Sequence, residues 1–202
     1  PGSRLALGRK AKLEEKGGTV RVRCNDAPPM AKPEGGGPGP TGQVDGKANE
    51  PVQAPEAPSP GGGLPEPIRV VSANIRYANP DDGPDAWSER SADLAALLQG
   101  ASPDILGVQE ALVEQVMDLD RLMPGYAHAG VGREDGRLAG EWCAIYFDRF
   151  RFDLISERTF WLSETPGQPS AGWDAALPRI ATVLRLEDKA SGRRFWVANT
   201  HF

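Results

Sequence analysis

The sequence predicts an α/β layered domain confined to its last 135 residues, and three observations lead there. From Ile68 onward the apolar pattern alternates strand, helix, strand, helix before turning to strands alone. Upstream, residues 33–67 hold nine Pro and nine Gly in 35 positions with no aromatic residue, a composition with too little to bury, which reads as a disordered linker. Finally, several of the strands close on a polar side chain, among them Asn74, Glu110 and His201.

Charge divides at the same boundary. Residues 1–67 carry a net +1 and residues 68–202 a net −6. An acidic module has no general attraction for nucleic acid or anionic membrane, so a phosphate-bearing substrate needs local Arg side chains or a bound cation. The first 32 residues, with Arg4, Arg9, Lys10, Lys12, Lys16, Arg21 and Arg23 against Glu14 and Glu15 in their first 23, read as a solvated, disordered basic arm. No apolar run is long enough for a signal segment or a membrane span, so stable membrane insertion is not expected. Cys143 sits in an apolar run, where a reduced thiol behaves as a small hydrophobe, and a disulfide to Cys24 is not expected. This favours a reducing, cytoplasmic compartment. Secretion stays open because the sequence opens on Pro rather than Met.

Ile68 to Tyr77 reads as the first strand, launched from Pro67 and stopped by Asn79-Pro80-Asp81-Asp82-Gly83-Pro84. Trp87, Leu94, Leu97 and Leu98 keep helical spacing, with Asp85 as N-cap and Gly100 as the stop. Ile105-Leu106-Gly107-Val108 is a short continuous apolar run, the signature of a strand buried on both faces. A second helix follows through Leu112, Val116, Leu119 and Met123 until Pro124-Gly125. Strands then follow at 126–131, 142–147, 152–162 with a break in the middle, and 180–187. The loop 188–192 turns the chain into a hairpin whose second strand, Phe195 to Phe202, sends Phe195, Val197, Asn199 and His201 to one face. Residues 163–174 are too rich in Pro and Gly for regular structure, and long loops inside compact domains are usually functional or mobile.

Glu110 and Asn74 close two strands that share a rim if they share a sheet, and a carboxylate beside an amide oxygen suits Mg²⁺ or Mn²⁺. Taken singly, Glu110 reads as a first-turn acid of the following helix and Asn74 as a turn residue. Glu141 is a candidate to orient His201 by hydrogen bonding, and Arg179, after Pro178, is a candidate to grip a phosphate oxygen bidentately. There is no P-loop, no Gly-x-Ser-x-Gly elbow, no zinc spacing and no dinucleotide fingerprint.

Together, Val70-Val71-Ser72-Ala73-Asn74-Ile75-Arg76, Pro103-Asp104-Ile105-Leu106-Gly107-Val108-Gln109-Glu110, Gly140-Glu141-Trp142-Cys143-Ala144-Ile145-Tyr146 and Val197-Ala198-Asn199-Thr200-His201-Phe202 stand in the order found in the endonuclease/exonuclease/phosphatase superfamily, which residues 68–202 resemble. The resemblance implies a four-layered α/β sandwich of the deoxyribonuclease I-like type. It implies a metal-dependent phosphoester hydrolase, with Glu110 and Asn74 at the metal, and His201, Glu141 and Asn74 in catalysis. Arg179 and Asn199 are then expected near the substrate phosphate. Nucleic acid, sugar phosphate and phospholipid head group all stay open as substrates. The superfamily's Asp-x-Asn and closing Asp-His motifs do not occur in the sequence. The expectation is therefore an amino-terminal half, inactive and poorly soluble as written, with a non-catalytic remnant or interaction module as the competing reading.

Overall fold

The computed structural model describes residues 66–202 in full and the backbone of two strands upstream, Ala11–Lys16 (β1) and Thr19–Cys24 (β2). Inside the arm read as disordered and basic, these two strands pair antiparallel, and β2 runs parallel to Val70–Asn74 (β3). The strand signal lies in Val20-Arg21-Val22-Arg23, where β-branched residues alternate with arginines at period two. The rest of the arm and the Pro/Gly-rich linker up to residue 65 lie outside the described residues.

β3 stops at Asn74 because Arg76 takes a left-handed backbone (φ 55°), shortening the strand expected to reach Tyr77. A 3₁₀ turn over Pro80–Asp85 follows, opened by the Asn79 side chain accepting from the Asp81 N–H. Helix α1, Trp87–Gly100, is capped by Ala86 without a side-chain bond rather than by Asp85. The Asp85 carbonyl instead accepts from Arg90 Nε. Strand β4, Ile105–Gln109, is buried at every position, as its unbroken apolar run requires. Helix α2, Val113–Leu122, starts from Leu112, whose N–H is received by the Gln115 Oε1. Gln115 is completely buried. It also receives the Ala78 N–H and donates to the Arg76 carbonyl, lashing the loop after β3 to the start of α2.

Five further strands follow. Tyr126–Ala129 (β5) and Ile145–Asp148 (β6) pair with each other, and β6 also pairs with β4. Phe152–Trp161 (β7) and Ile180–Asp188 (β8) pair antiparallel, with a register shift between Leu154 and Ser156 where the sequence shows its break. Arg194–Thr200 (β9) closes the hairpin on β8. The result is a six-stranded sheet ordered β1-β2-β3-β4-β6-β5 and a three-stranded sheet ordered β7-β8-β9.

These elements form three layers. Helices α1 and α2 cover one face of the large sheet with Trp87, Leu94, Leu98, Val116 and Leu119 against Val71, Ala73, Leu106 and Val108. The other face meets the small sheet through Ile105, Ile145, Phe147, Phe152, Leu184 and Leu186. At the end where β4 begins, Arg151 rivets the two sheets by bonding both Asp104 Oδ1 (2.8 Å) and Asp188 Oδ2 (3.2 Å). The polar-ended strands therefore meet at the opposite end. On the outer face of the small sheet a groove is lined by Phe160, Val183 and Trp196 together with Ser156, Glu157 and Arg158, and Trp196 is 63% exposed. No helix among the described residues is long and apolar enough to cross a membrane.

Burial alone separates the two faces of the small sheet. Leu184→Ala is expected to lower unfolding free energy by about 2 to 5 kcal/mol. Trp196→Lys should leave it within about 0.5 kcal/mol while raising solubility, both read by urea denaturation. Equal costs for the two changes would contradict the sheet-on-sheet arrangement.

Candidate active site

Parallel pairing sets the frame of the site. Asn74 stands opposite Gln109 in the β3–β4 register, and the Ile75 N–H reaches the Gln109 carbonyl (3.1 Å), so both strands present their carboxyl ends on one rim. Glu110 follows at once, in a left-handed backbone (φ 63°). A Glu there costs about 1 to 3 kcal/mol relative to relaxed geometry, and such strain is held only where surrounding contacts over-determine it. Here the contact is Asn74 Nδ2, which donates to Glu110 Oε1 (2.6 Å). Asn74 Oδ1 meanwhile receives the Arg76 N–H (2.9 Å), so the orientation of the amide is fixed from both ends.

His201 arrives from the other sheet. Its Nε2 lies 3.7 Å from Glu110 Oε1 and its Nδ1 lies 4.0 Å from Glu141 Oε2. Both distances are long for hydrogen bonds, as is common at catalytic contacts before substrate binds. Nδ1 is buried with no bonding partner. Glu141 is brought alongside by Trp142, whose N–H bonds the Ala111 carbonyl (2.7 Å). Arg133 Nη1 donates to the same Glu141 Oε2 (2.7 Å).

What delivers His201 is Asn199, two residues earlier on the inner face of β9. The Asn199 amide is buried. Its Nδ2 donates to the carbonyls of Val108 and Ala144 (2.8 Å each), and its Oδ1 accepts from Gln109 Nε2 (2.6 Å). Gly107 makes room for it, since a Cβ there would lie 3.0 Å from the Asn199 oxygen. This one amide ties β9 to β4 and to the backbone just before β6.

Cys143 lies beneath, reached by the His201 backbone N–H. Its thiol is pushed up to about 12, chiefly by burial and then by the charge of Glu141, with Arg133, the His201 amide and Arg179 pulling the other way. The backbone carbonyl of Arg179 receives the Leu162 N–H (2.7 Å) at the base of loop 163–179. That loop is internally tied, with Ser163 Oγ within 2.6 Å of Ser170 Oγ.

The comparisons follow this geometry. No family model matches the chain. An endonuclease/exonuclease/phosphatase family protein from Bacteroides thetaiotaomicron is 41% identical with a TM-score of 0.65, covering 66% of this chain and 48% of its own. The same organism's mannosyl-6-phosphatase Bt3783 is 42% identical with a TM-score of 0.64, covering 65% of this chain and 50% of its own. The chain is thus similar in sequence and fold to solved endonuclease/exonuclease/phosphatase family proteins. It spans about half the length of the solved superfamily structures it matches. Uncharacterized protein L388 of Acanthamoeba polyphaga mimivirus is 28% identical over 123 residues, which are 57% of this chain and 46% of its own.

Against the superfamily pattern, Asn74, Glu110, Glu141 and His201 converge, whereas two roles change. Asn199 is a strut between sheets, its amide already engaged by three partners, and it is not free to bind phosphate. Asn74 turns its nitrogen to Glu110 and its oxygen to the Arg76 N–H, so it positions the carboxylate. Arg133 and Gln109 escape the sequence reading. The available signal for Arg133 was its setting between Gly130-Val131-Gly132 and Gly136, where glycines mark a tightly built loop.

Two measurements follow. Asn199→Ala removes three buried hydrogen bonds, while the Ala144 carbonyl keeps the Val108 N–H and Gln109 Nε2 keeps Ser72 Oγ, and it is expected to cost about 3 kcal/mol of unfolding free energy, at about 1 per bond. An unchanged denaturation midpoint would refute the strut. For Cys143, a thiol raised in the folded state keeps its proton after the unfolded thiol, ordinarily near 9.0, has lost it. Stability should therefore fall as pH rises from 9 towards 12, by up to about 1.4 kcal/mol per pH unit, and Cys143→Ala should flatten that slope.

Proposed function

We propose that these residues form the site of a divalent-metal-dependent phosphoester hydrolase whose substrate class is the sugar phosphate monoester. The observation that carries the reading is the convergence of His201 with Glu110 and Glu141, one carboxylate facing each ring nitrogen. Similarity to a mannosyl-6-phosphatase supports the narrower substrate class.

Among the described residues no group of three His, Cys, Asp or Glu side chains gathers to hold a metal. A single partly exposed carboxylate, Glu110, fits a hard cation such as Mg²⁺ or Mn²⁺, which keeps several waters and takes few protein ligands. When bound, such an ion offsets the negative charge on the phosphoryl oxygens. Asn74 keeps Glu110 in its strained backbone and fixes which oxygen faces inward.

His201 supplies the mobile proton. With Nδ1 turned to Glu141, Nε2 is the atom placed to donate a hydrogen bond to a phosphoryl oxygen and to pass a proton. A water oxygen adds to phosphorus in line and the ester P–O bond breaks; the departing sugar oxygen takes the proton of His201 Nε2, and the proton the water gives up restores the ring. Arg179 serves a second phosphoryl oxygen from the mouth of the 163–179 loop, where its guanidinium fork suits phosphate better than an ammonium would.

Release of inorganic phosphate from a hexose 6-phosphate with Mg²⁺ tests the reading, with bis-p-nitrophenyl phosphate and a phospholipid head group in parallel. Hydrolysis of the sugar phosphate is expected, lost on chelation and reduced about a hundredfold or more by Glu110→Ala and by His201→Ala. Hydrolysis of the diester alone would move the substrate class to nucleic acid. Rates indifferent to both substitutions would refute the assigned roles, and no hydrolysis of any substrate would favour a non-catalytic module.

A further inference from the structure

Two buried side-chain nitrogens among the described residues have no bonding partner, His201 Nδ1 and Arg133 Nε, and they flank one carboxylate. Glu141 Oε2 receives Arg133 Nη1 at 2.7 Å and stands 4.0 Å from His201 Nδ1. Arg133 is only 7% exposed. Burying a guanidinium costs several kcal/mol unless its donors are well matched, and a pair selected for stability alone would be expected to close both prongs of the fork. Here one prong is engaged and the arrangement points at the histidine.

The loop carrying Arg133 is built to hold it still. Arg133 N–H bonds the Glu141 carbonyl (3.2 Å), and the Arg133 carbonyl receives Trp161 Nε1 (2.7 Å), so backbone contacts lock the residue on two sides. Gly132 lies so close to Ala139 that a Cβ would sit 2.2 Å from its carbonyl oxygen. Gly140 takes a left-handed backbone (φ 82°) immediately before Glu141. Asp135 Oδ1 gathers the N–H groups of Arg137 (2.7 Å) and Ala139 (2.9 Å) at the loop's centre. Every one of these constraints acts on the relative placement of Arg133 and Glu141.

We propose that Arg133 is a positioning residue for the reaction: it clamps Glu141 Oε2 so that this oxygen receives His201 Nδ1–H, which keeps Nε2 directed at the phosphate. Arg133 acts through Glu141 and touches neither substrate nor the reacting atoms. Its catalytic consequence rests on the phosphoester hydrolase reading, whereas its effect on the histidine does not.

The test has two arms. In the first, ¹⁵N shifts of the His201 ring are recorded at one fixed pH for the wild type, Arg133→Met, Arg133→Lys and Glu141→Gln, with thermal unfolding as the check on folding. Arg133→Met and Glu141→Gln should move the two ring nitrogens in opposite directions, towards each other as the Nδ1–H tautomer gives way to the mixed tautomers of a free neutral imidazole, and Arg133→Lys should fall between. If Arg133→Met does not fold, Arg133→Lys supplies the comparison. Ring shifts unchanged in the Arg133 variants but moved in Glu141→Gln would overturn the proposal. In the second arm, Arg133→Met should lower kcat on the sugar phosphate at least tenfold with KM within about threefold. Adding it to Glu141→Gln should cost nothing more. Additive losses would overturn the proposal, as would a change confined to KM. Should the ring respond as expected while the wild type releases no phosphate, the positioning role stands and the hydrolase reading falls.

Discussion

The buried carboxamide of Asn199 is the interaction on which the site depends. Its nitrogen donates to the carbonyls of Val108 and Ala144, and its oxygen takes the Gln109 amide, so one side chain joins strands from both sheets. Apolar contact between the sheets is non-directional and would tolerate sliding by an ångström or more. Three short hydrogen bonds in a dry setting do not, because leaving any of them unmade costs about 1 to 3 kcal/mol. Gln109 immediately precedes Glu110, and Asn199 lies two residues before His201. Bonding the first of each pair to the other therefore sets the distance between the carboxylate and the imidazole.

Around that strut the structure accumulates local cost. Glu110 sits in a left-handed backbone, His201 Nδ1 and Arg133 Nε are buried without partners, and the Arg133 guanidinium is almost wholly removed from water. None of these features is explained by packing. All of them surround Glu110, Glu141 and His201, and local strain with unsatisfied donors is the pattern that functional sites retain. At the other end of the sheets, Arg151 with Asp104 and Asp188 is fully engaged and only holds the layers together.

Much of this was legible in the sequence because it follows from periodicity. The apolar run Ile105 to Val108 could only be a strand buried on both faces, and the alternation Phe195, Val197, Asn199, His201 fixed which side chains face inward. What periodicity cannot show is how a polar side chain is employed once inside. Asn199 and His201 share a face and a motif, yet one is a strut and the other stands at the chemistry, a difference decided by Gly107 and Gln109 some ninety residues away. Nor does periodicity show that the Asn74 oxygen receives the Arg76 N–H while its nitrogen holds Glu110. Strand β2 went unread because its arginines were counted as charge when their spacing already marked a pleat.

Glu110 and His201, from the two sheets, lie 3.7 Å apart, and the proposal is that a cation held by Glu110 sits beside the histidine. Paramagnetic broadening of the His201 ring signals by substoichiometric Mn²⁺ tests it most directly, without requiring turnover. Strong broadening of His201 in the wild type, abolished by Glu110→Gln and weakened by Asn199→Ala, is the predicted result. A His201 ring untouched by Mn²⁺, or broadened equally when Glu110 has lost its charge, would contradict the account.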